Sequence, residues 1–181
     1  MFLLDTDVLS HLRKPRPHPG CLAWLDAHRA ASFATSVVTI AEIERGAALI
    51  GRRDKLREAE IISWLARVLA AADISIVSMT MGAGRLWGRM TATPALWNLA
   101  GAGRPRVGEC PSFGGDLMVA ACAIDSSRVV VSGNVDHMLE IHRHFPLPGL
   151  IDPFSGIEHV RFDAGLADAR DPRSGVPISP R

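Results

Sequence analysis

The sequence contains no tyrosine and only two lysines, Lys14 and Lys55. The remaining basic side chains are arginines, a residue suited to bidentate pairing with phosphate or carboxylate, although arginine-biased codon usage gives the same composition. Cysteine is also scarce: Cys21, Cys110 and Cys122 are odd in number and lack metal-ligand spacing. That excludes a disulfide framework and predicts reduced core thiols in a cytoplasmic protein. No uninterrupted apolar stretch approaches membrane-spanning length. Asp5 and Asp7 interrupt what would otherwise begin a signal peptide. The formal net charge of +1 gives no direction, whereas 181 residues at 48% apolar are enough for one domain with a full core.

What is present is an alternation of short apolar runs with helix-like segments. Phe2–Leu4 reads as a buried strand, and its continuous apolar run suits a parallel sheet. A helix follows until the prolines of "KPRPHPG" end it. Strands are predicted at "SFATS", "ISIVSM" and "RVVVSGN", with helices at "CLAWLDAHRA", "TIAEIERGAALIG", "RRDKLREAEIISWLARVLAAA", "GAGRLWGRM", "GDLMVAACAID" and "VDHMLEIHRHF". The pattern predicts an α/β domain over residues 1–150 with a mostly parallel sheet and right-handed crossovers. A Gly- and Pro-rich insertion covers about 91–113 and carries Arg104 and Arg106. Residues 151–181 read as a C-terminal tail, partly disordered.

In such a sheet, ligands bind where strands end and the following helices begin. Asp5 ends the first strand, Glu42 falls in the first turn after "SFATS", Asp116 opens "DLMVAACAI", and Asp136 follows "RVVVSGN". Each has an ordinary structural explanation. Thr39 and Glu42 fit a capping box, Asp116 and Asp7 fit helix caps, and Asp136 fits a solvated acid. Asp5 resists this treatment because it closes a strand. Four acids converging on one edge would repel one another, and a hard divalent cation relieves that repulsion. The chemistry implied is metal-dependent hydrolysis of a phosphoester.

"FLLDTDVLS", "SVVTIAEIERGAAL", "GGDLMVAACAI" and "VVVSGN" resemble the PIN-domain ribonucleases, and in particular the VapC-like (FitB-like) toxins of bacterial toxin–antitoxin pairs. The resemblance carries the ordered set Ser36, Thr39, Glu42, Ile43 and Gly46. It implies a three-layer PIN-like fold, Mg²⁺- or Mn²⁺-dependent endoribonuclease activity on RNA, an antitoxin protein partner and a homodimer. By position, Asp5, Glu42, Asp116 and Asp136 become the catalytic acids, with Asp5 and Asp116 as the direct metal ligands. Asp7, Ser132, Asn134 and Arg45 are the expected supporting and substrate-binding residues. The fourth motif departs from the family run of Thr-Arg-Asn, two residues, then Asp. Here Gly133 stands at the arginine position, and the acid position falls to Asp136 or His137.

Other readings stand beside this one. "DTD" after a strand also resembles the haloacid dehalogenase-like phosphatases, but neither lysine is placed for that chemistry. His137, His142 and His144 raise a transition-metal site, against which their spacing favours solvated helix residues. Arg45, Arg52, Arg53 and Arg57 suit RNA phosphates, yet Asp54, Glu58 and Glu60 interleave them as on an ordinary solvated face. The non-enzymatic alternative is a weakened PIN-like module that binds an antitoxin-like partner.

Overall fold

The computed structural model describes residues 1–28, 31–71, 74–100 and 114–162. Residues 101–113 of the expected insertion, with Arg104, Arg106 and Cys110, lie outside the described residues, as does the expected tail from 163 onward.

The described chain runs β1 (Phe2–Leu4), α1 (Thr6–Leu12), α2 (Pro19–Ala27), β2 (Phe33–Ser36), α3 (Val37–Gly51), α4 (Lys55–Ala71) and β3 (Ser75–Val77). It continues with α5 (Met81–Thr91), a 3₁₀ turn at Pro94–Leu96, α6 (Gly115–Asp125), β4 (Val129–Val131), α7 (Val135–His144), β5 (Leu150–Asp152) and β6 (Ile157–Val160). The sheet order is β3-β2-β1-β4-β5-β6. All neighbours are parallel except the antiparallel β5–β6 pair. Leu3 stands opposite both Ala34 and Val130, so β1 is a central strand with partners on each side. Strand side chains alternate between faces. Leu3, Ala34 and Val130 therefore join Leu117, Ala121, Met138 and Ile141 in one apolar layer. Leu4 and Val131 join Val8, Leu9, Ile43, Ile61 and Leu65 in the other. Helices cover both faces, giving the three-layer α/β arrangement expected from the alternation.

The structure revises several local readings. The fold continues past residue 150, because β5 and β6 extend the sheet through Val160. β6 had no readable signature, since Ile157, Glu158 and His159 are all exposed. α3 is capped by Ser36, whose hydroxyl accepts the Thr39 N–H at 3.0 Å, so the helix begins ahead of the predicted Thr39 cap. Glu42 thus lies in its second turn. α6 is capped by Gly114 at φ +64°, a left-handed backbone that favours glycine, while Asp116 sits in the first turn. Cys21 and Cys122 are buried free thiols, as predicted.

Candidate functional site

β1 lies between β2 and β4: the chain builds outward from β1 through β2 to β3 on one side, then crosses back to place β4 on the other. This is the topological switch point at which α/β sheets open a crevice. Asp5 closes β1 there, with its backbone N–H on the Val131 carbonyl at 3.0 Å. It also caps α1, a role the sequence reading did not give it: Asp5 Oδ1 accepts the Thr6 N–H at 2.6 Å. Its other oxygen, Oδ2, accepts the Ser132 hydroxyl at 2.8 Å. The Ser132 oxygen in turn accepts the Asn134 N–H at 3.0 Å. Asp5 is only 3% exposed, so its charge is removed from water.

The other acids surround it. Asp7 Oδ1 accepts the Val8 N–H at 2.7 Å, and Oδ2 accepts the Gly133 N–H at 2.8 Å. Glu42 Oε2 accepts the Thr6 hydroxyl, which ties α3 to α1. The Glu42 carboxylate also packs against the Cα of Gly115, where a Cβ would collide with it. Asp116 Oδ2 accepts Asn134 Nδ2 at 2.8 Å and lies 2.7 Å from His137 Nδ1.

These hydrogen bonds satisfy individual oxygens without removing the charge problem. Burial pushes the Asp5 pKa from its ordinary 3.8 up to about 7, aided by repulsion from Asp7 and Asp116 and opposed by the Ser132 and Thr6 hydrogen bonds. Asp7 is also raised, first by burial, with Asp116 and Asp152 adding to it against the Gly133 and Val8 N–H groups. Glu42 is raised by burial and by Asp116, against the Thr6 hydrogen bond and Arg45. An excess of buried negative charge is the feature that separates this edge from an ordinary set of helix caps.

The donor set is chemically suited to a hard cation. Each Asp5 oxygen accepts one hydrogen bond and keeps a lone pair, while both bonds to Asp116 fall on Oδ2. One or two direct carboxylates are what Mg²⁺ takes from a protein when it keeps most of its waters. Among the described residues, no group of three or more His, Cys, Asp or Glu side chains is arranged to hold a metal ion. A closed protein cage is therefore not formed among the described residues, and Asp5 and Asp116 would be the two carboxylates to meet such an ion.

Comparison with known proteins bears on this arrangement. No protein-family profile matches the chain. Ribonuclease VapC14 of Mycobacterium tuberculosis is 38% identical over 63 residues, covering 35% of this chain and 61% of that protein. Toxin FitB of Neisseria gonorrhoeae is 40% identical over 50 residues, 28% of this chain and 36% of that protein. The chain thus matches less than two thirds of the length of either relative. A chain in the structure of FitAB bound to an IR36 DNA fragment superposes with a TM-score of 0.60 at 20% identity, covering 88% of this chain and 99% of that one. The chain has a PIN-like fold, and it resembles VapC14 and FitB over part of their length.

Asp5, Asp7, Glu42, Asp116, Ser132 and Asn134 lie together at this edge of the sheet. Arg45 is near enough to Glu42 to lower its pKa. Asp136 does not join them. It is exposed in the first turn of α7 and makes none of the hydrogen bonds of the cluster. One residue on a helix turns the side chain by about 100°, and it is His137 that faces Asp116. His137 is accordingly part of the site and no ordinary solvated residue. His142 is also engaged, accepting the Leu147 N–H at 3.0 Å.

Two contributions escaped the sequence reading. Thr6, between the two aspartates of "DTD", orients Glu42. Its position beside Asp5 was the one available signal. The β5–β6 loop supplies the other: Asp152 adds negative charge near Asp7, and Phe154 packs over Gly133.

Proposed function

We propose that this chain is an endoribonuclease that hydrolyses RNA phosphodiesters at the Asp5–Glu42–Asp116 edge, and that it acts as the cytoplasmic toxin of a toxin–antitoxin pair. The observation that carries the reading is the buried Asp5, pushed up to about 7 by burial and by Asp7 and Asp116. A charge so placed is explained by chemistry that needs a concentrated anionic site. The likeness to ribonuclease VapC14 and toxin FitB supports the choice of RNA and of a toxin role. The antitoxin partner is supported by the fold neighbour FitAB, and a homodimer is the family expectation.

Asp5 and Asp116 would hold Mg²⁺ or Mn²⁺, which when bound supplies Lewis acidity to a phosphoryl oxygen and acidifies water. The remaining steps belong to the chain. Ser132 and the Thr6 N–H fix Asp5 in one rotamer, and Asn134 and His137 fix Asp116. Thr6 holds Glu42 by Oε2, and the Glu42 carboxylate would accept a proton from the attacking water. Burial raises the Glu42 pKa, which is the direction that favours a general base. Asp7 acts as a positioning residue, holding the Gly133 backbone at the end of β4.

The test is cleavage of a mixed RNA pool by purified protein in Mg²⁺, Mn²⁺ or EDTA, beside an identically prepared Asp5→Asn variant. Metal-dependent cleavage lost in the variant is expected. A second reading, the weakened module that binds an antitoxin-like partner, draws on His137 standing against Asp116. Folded protein, free of antitoxin and inactive in both metals, would favour it and refute the nuclease.

A further inference from the structure

His11, His18 and Phe154 come from three different segments and meet beside Asp7. The His11 and Phe154 ring centroids are 4.9 Å apart at 66°, and those of His18 and Phe154 are 5.6 Å apart at 80°. His11 and His18 are themselves in edge contact at 6.2 Å. Edge-to-face packing of this kind sets the edge of one ring against the face of the next. His18 is exposed, while His11 and Phe154 are half-buried.

The cluster is held rigidly against the acids. A Cβ on Gly133 would lie 2.5 Å from Phe154 Cε2 and 2.8 Å from Asp7 Oδ2, so the Phe154 ring fills space that a side chain at 133 would take. On the other side, Gly20 of α2 meets the Phe154 carbonyl too closely for any Cβ. Asp152 locks the loop between them. Its Oδ1 accepts the Phe154 N–H at 2.8 Å, its Oδ2 accepts the Ser155 hydroxyl at 2.6 Å, and its carbonyl accepts the Gly156 N–H at 2.8 Å. Gly156, at φ +76°, makes the turn. Hairpin anchoring alone would be served by an aliphatic side chain at 154 against aliphatic partners at 11 and 18. The chain instead places two imidazoles around a phenyl ring, at the rim of an anionic site and next to a cation: Lys14 Nζ lies 3.0 Å from His11 Nδ1.

We propose that Phe154, His11 and His18 form a stacking shelf for one unpaired nucleobase of the RNA, beside the carboxylates. The inference rests on the nuclease reading and adds a specificity-determining subsite to it. Single-stranded RNA is held largely by stacking of splayed bases on aromatic and imidazole rings. Such stacking tolerates any base, since every base has a π face. The His11 pKa is held below its ordinary value by desolvation and by the charges of Lys14 and His18, against the pull of Asp7, a shift that favours the neutral ring. Lys14, held on His11, would supply a positive charge for a flanking phosphate.

The experiment uses the full-length Asp5→Asn protein, which is not expected to cleave, and a labelled single-stranded oligoribonucleotide read by fluorescence anisotropy. A chain of abasic ribose phosphates of equal length is the control. Phe154→Leu is expected to weaken binding of the base-bearing RNA about 5- to 100-fold, with a smaller loss in His18→Ala and no change for the abasic chain in either. Thermal unfolding checks that Phe154→Leu folds, and the exposed His18→Ala keeps the test open if it does not. Unchanged affinity in the variants overturns the shelf, as do equal losses on both ligands. The nuclease reading is judged separately, in otherwise wild-type protein. Cleavage with kcat/KM unaltered by Phe154→Leu removes the shelf and leaves the nuclease, whereas absence of wild-type cleavage and of RNA binding removes both.

Discussion

Asp5→Asn should make the metal-free protein more stable at neutral pH, although it removes the central residue of the site. The folded protein holds the Asp5 carboxyl at about 7, against 3.8 for the ordinary group. Between pH 4 and 7 the unfolded chain has released this proton while the folded chain still keeps it. Raising the pH through that window therefore favours unfolding, and the stability associated with protonated Asp5 is fully lost only above pH 7. A rise from 3.8 to about 7 corresponds to about 4 kcal/mol. Asp5 is 3% exposed, so little of this is screened by solvent. Asparagine carries no charge at any pH and still offers one oxygen to the Thr6 N–H or to Ser132.

The assay is chemical or thermal denaturation of both proteins in EDTA from pH 4 to pH 8. The two curves should nearly coincide at pH 4 and separate steadily, reaching up to about 4 kcal/mol by pH 8, or about 8–16 °C in Tm. Addition of Mg²⁺ at pH 8 should stabilise the wild type by about 2.7 kcal/mol at one hundred times its Kd and leave the variant unmoved. A variant no more stable than wild type at pH 8 in EDTA refutes the reasoning. So does a difference that stays flat across the range.

Three further outcomes are expected. Gly133→Ala should lose about 1–3 kcal/mol in urea denaturation, because the new Cβ would sit 2.5 Å from the Phe154 ring. His137→Ala should lower RNA cleavage about 10- to 100-fold by freeing Asp116, while Asp136→Ala leaves it unchanged; a reversed order would restore Asp136 to the site. Cys21 and Cys122, both pushed up to about 11 chiefly by burial, should resist a thiol reagent at pH 8 in a Cys110→Ser background and react only on unfolding.

The acids were legible because strand-end position is a property of sequence order. An apolar run that stops at Asp5, and one that stops at Ser36 ahead of Glu42, must deliver those residues to the same sheet edge once the strands are parallel. What depends on rotation about a helix was not legible. The choice between Asp136 and His137 turns on where α7 begins, and no local signal marks it: Asn134 precedes the helix without a side-chain cap hydrogen bond. Cap assignment failed at Thr39 for a related reason. Ser36 and Thr39 are both good capping residues, and only the Ser36 hydroxyl on the Thr39 N–H decides between them. The β5–β6 hairpin was missed because its strands are short and largely solvent-facing on β6. That omission hid Asp152 and Phe154, so one wall of the site was lost with it.

The same burial that makes Asp5 a liability also defines its use. β2 and β4 flank β1 in register, so the residue after Leu4 cannot reach water without leaving its strand end. Around it the fold supplies neutral donors: the Thr6 N–H and the Ser132 hydroxyl on Asp5, and the Gly133 N–H on Asp7. Such donors lower the Asp5 pKa, but burial outweighs them and Asp7 and Asp116 add to it. The charge needs a proton or an external cation. Below pH 7 the proton serves, and the site is neutral at Asp5 and poor at attracting Mg²⁺. Above pH 7 the proton leaves, and a cation is the remaining remedy. Metal affinity should therefore rise across the interval in which the metal-free fold weakens, and both curves should level off just above pH 7. Plateaus that begin more than a pH unit apart would separate the Asp5 charge from metal binding and direct attention to Asp116 alone.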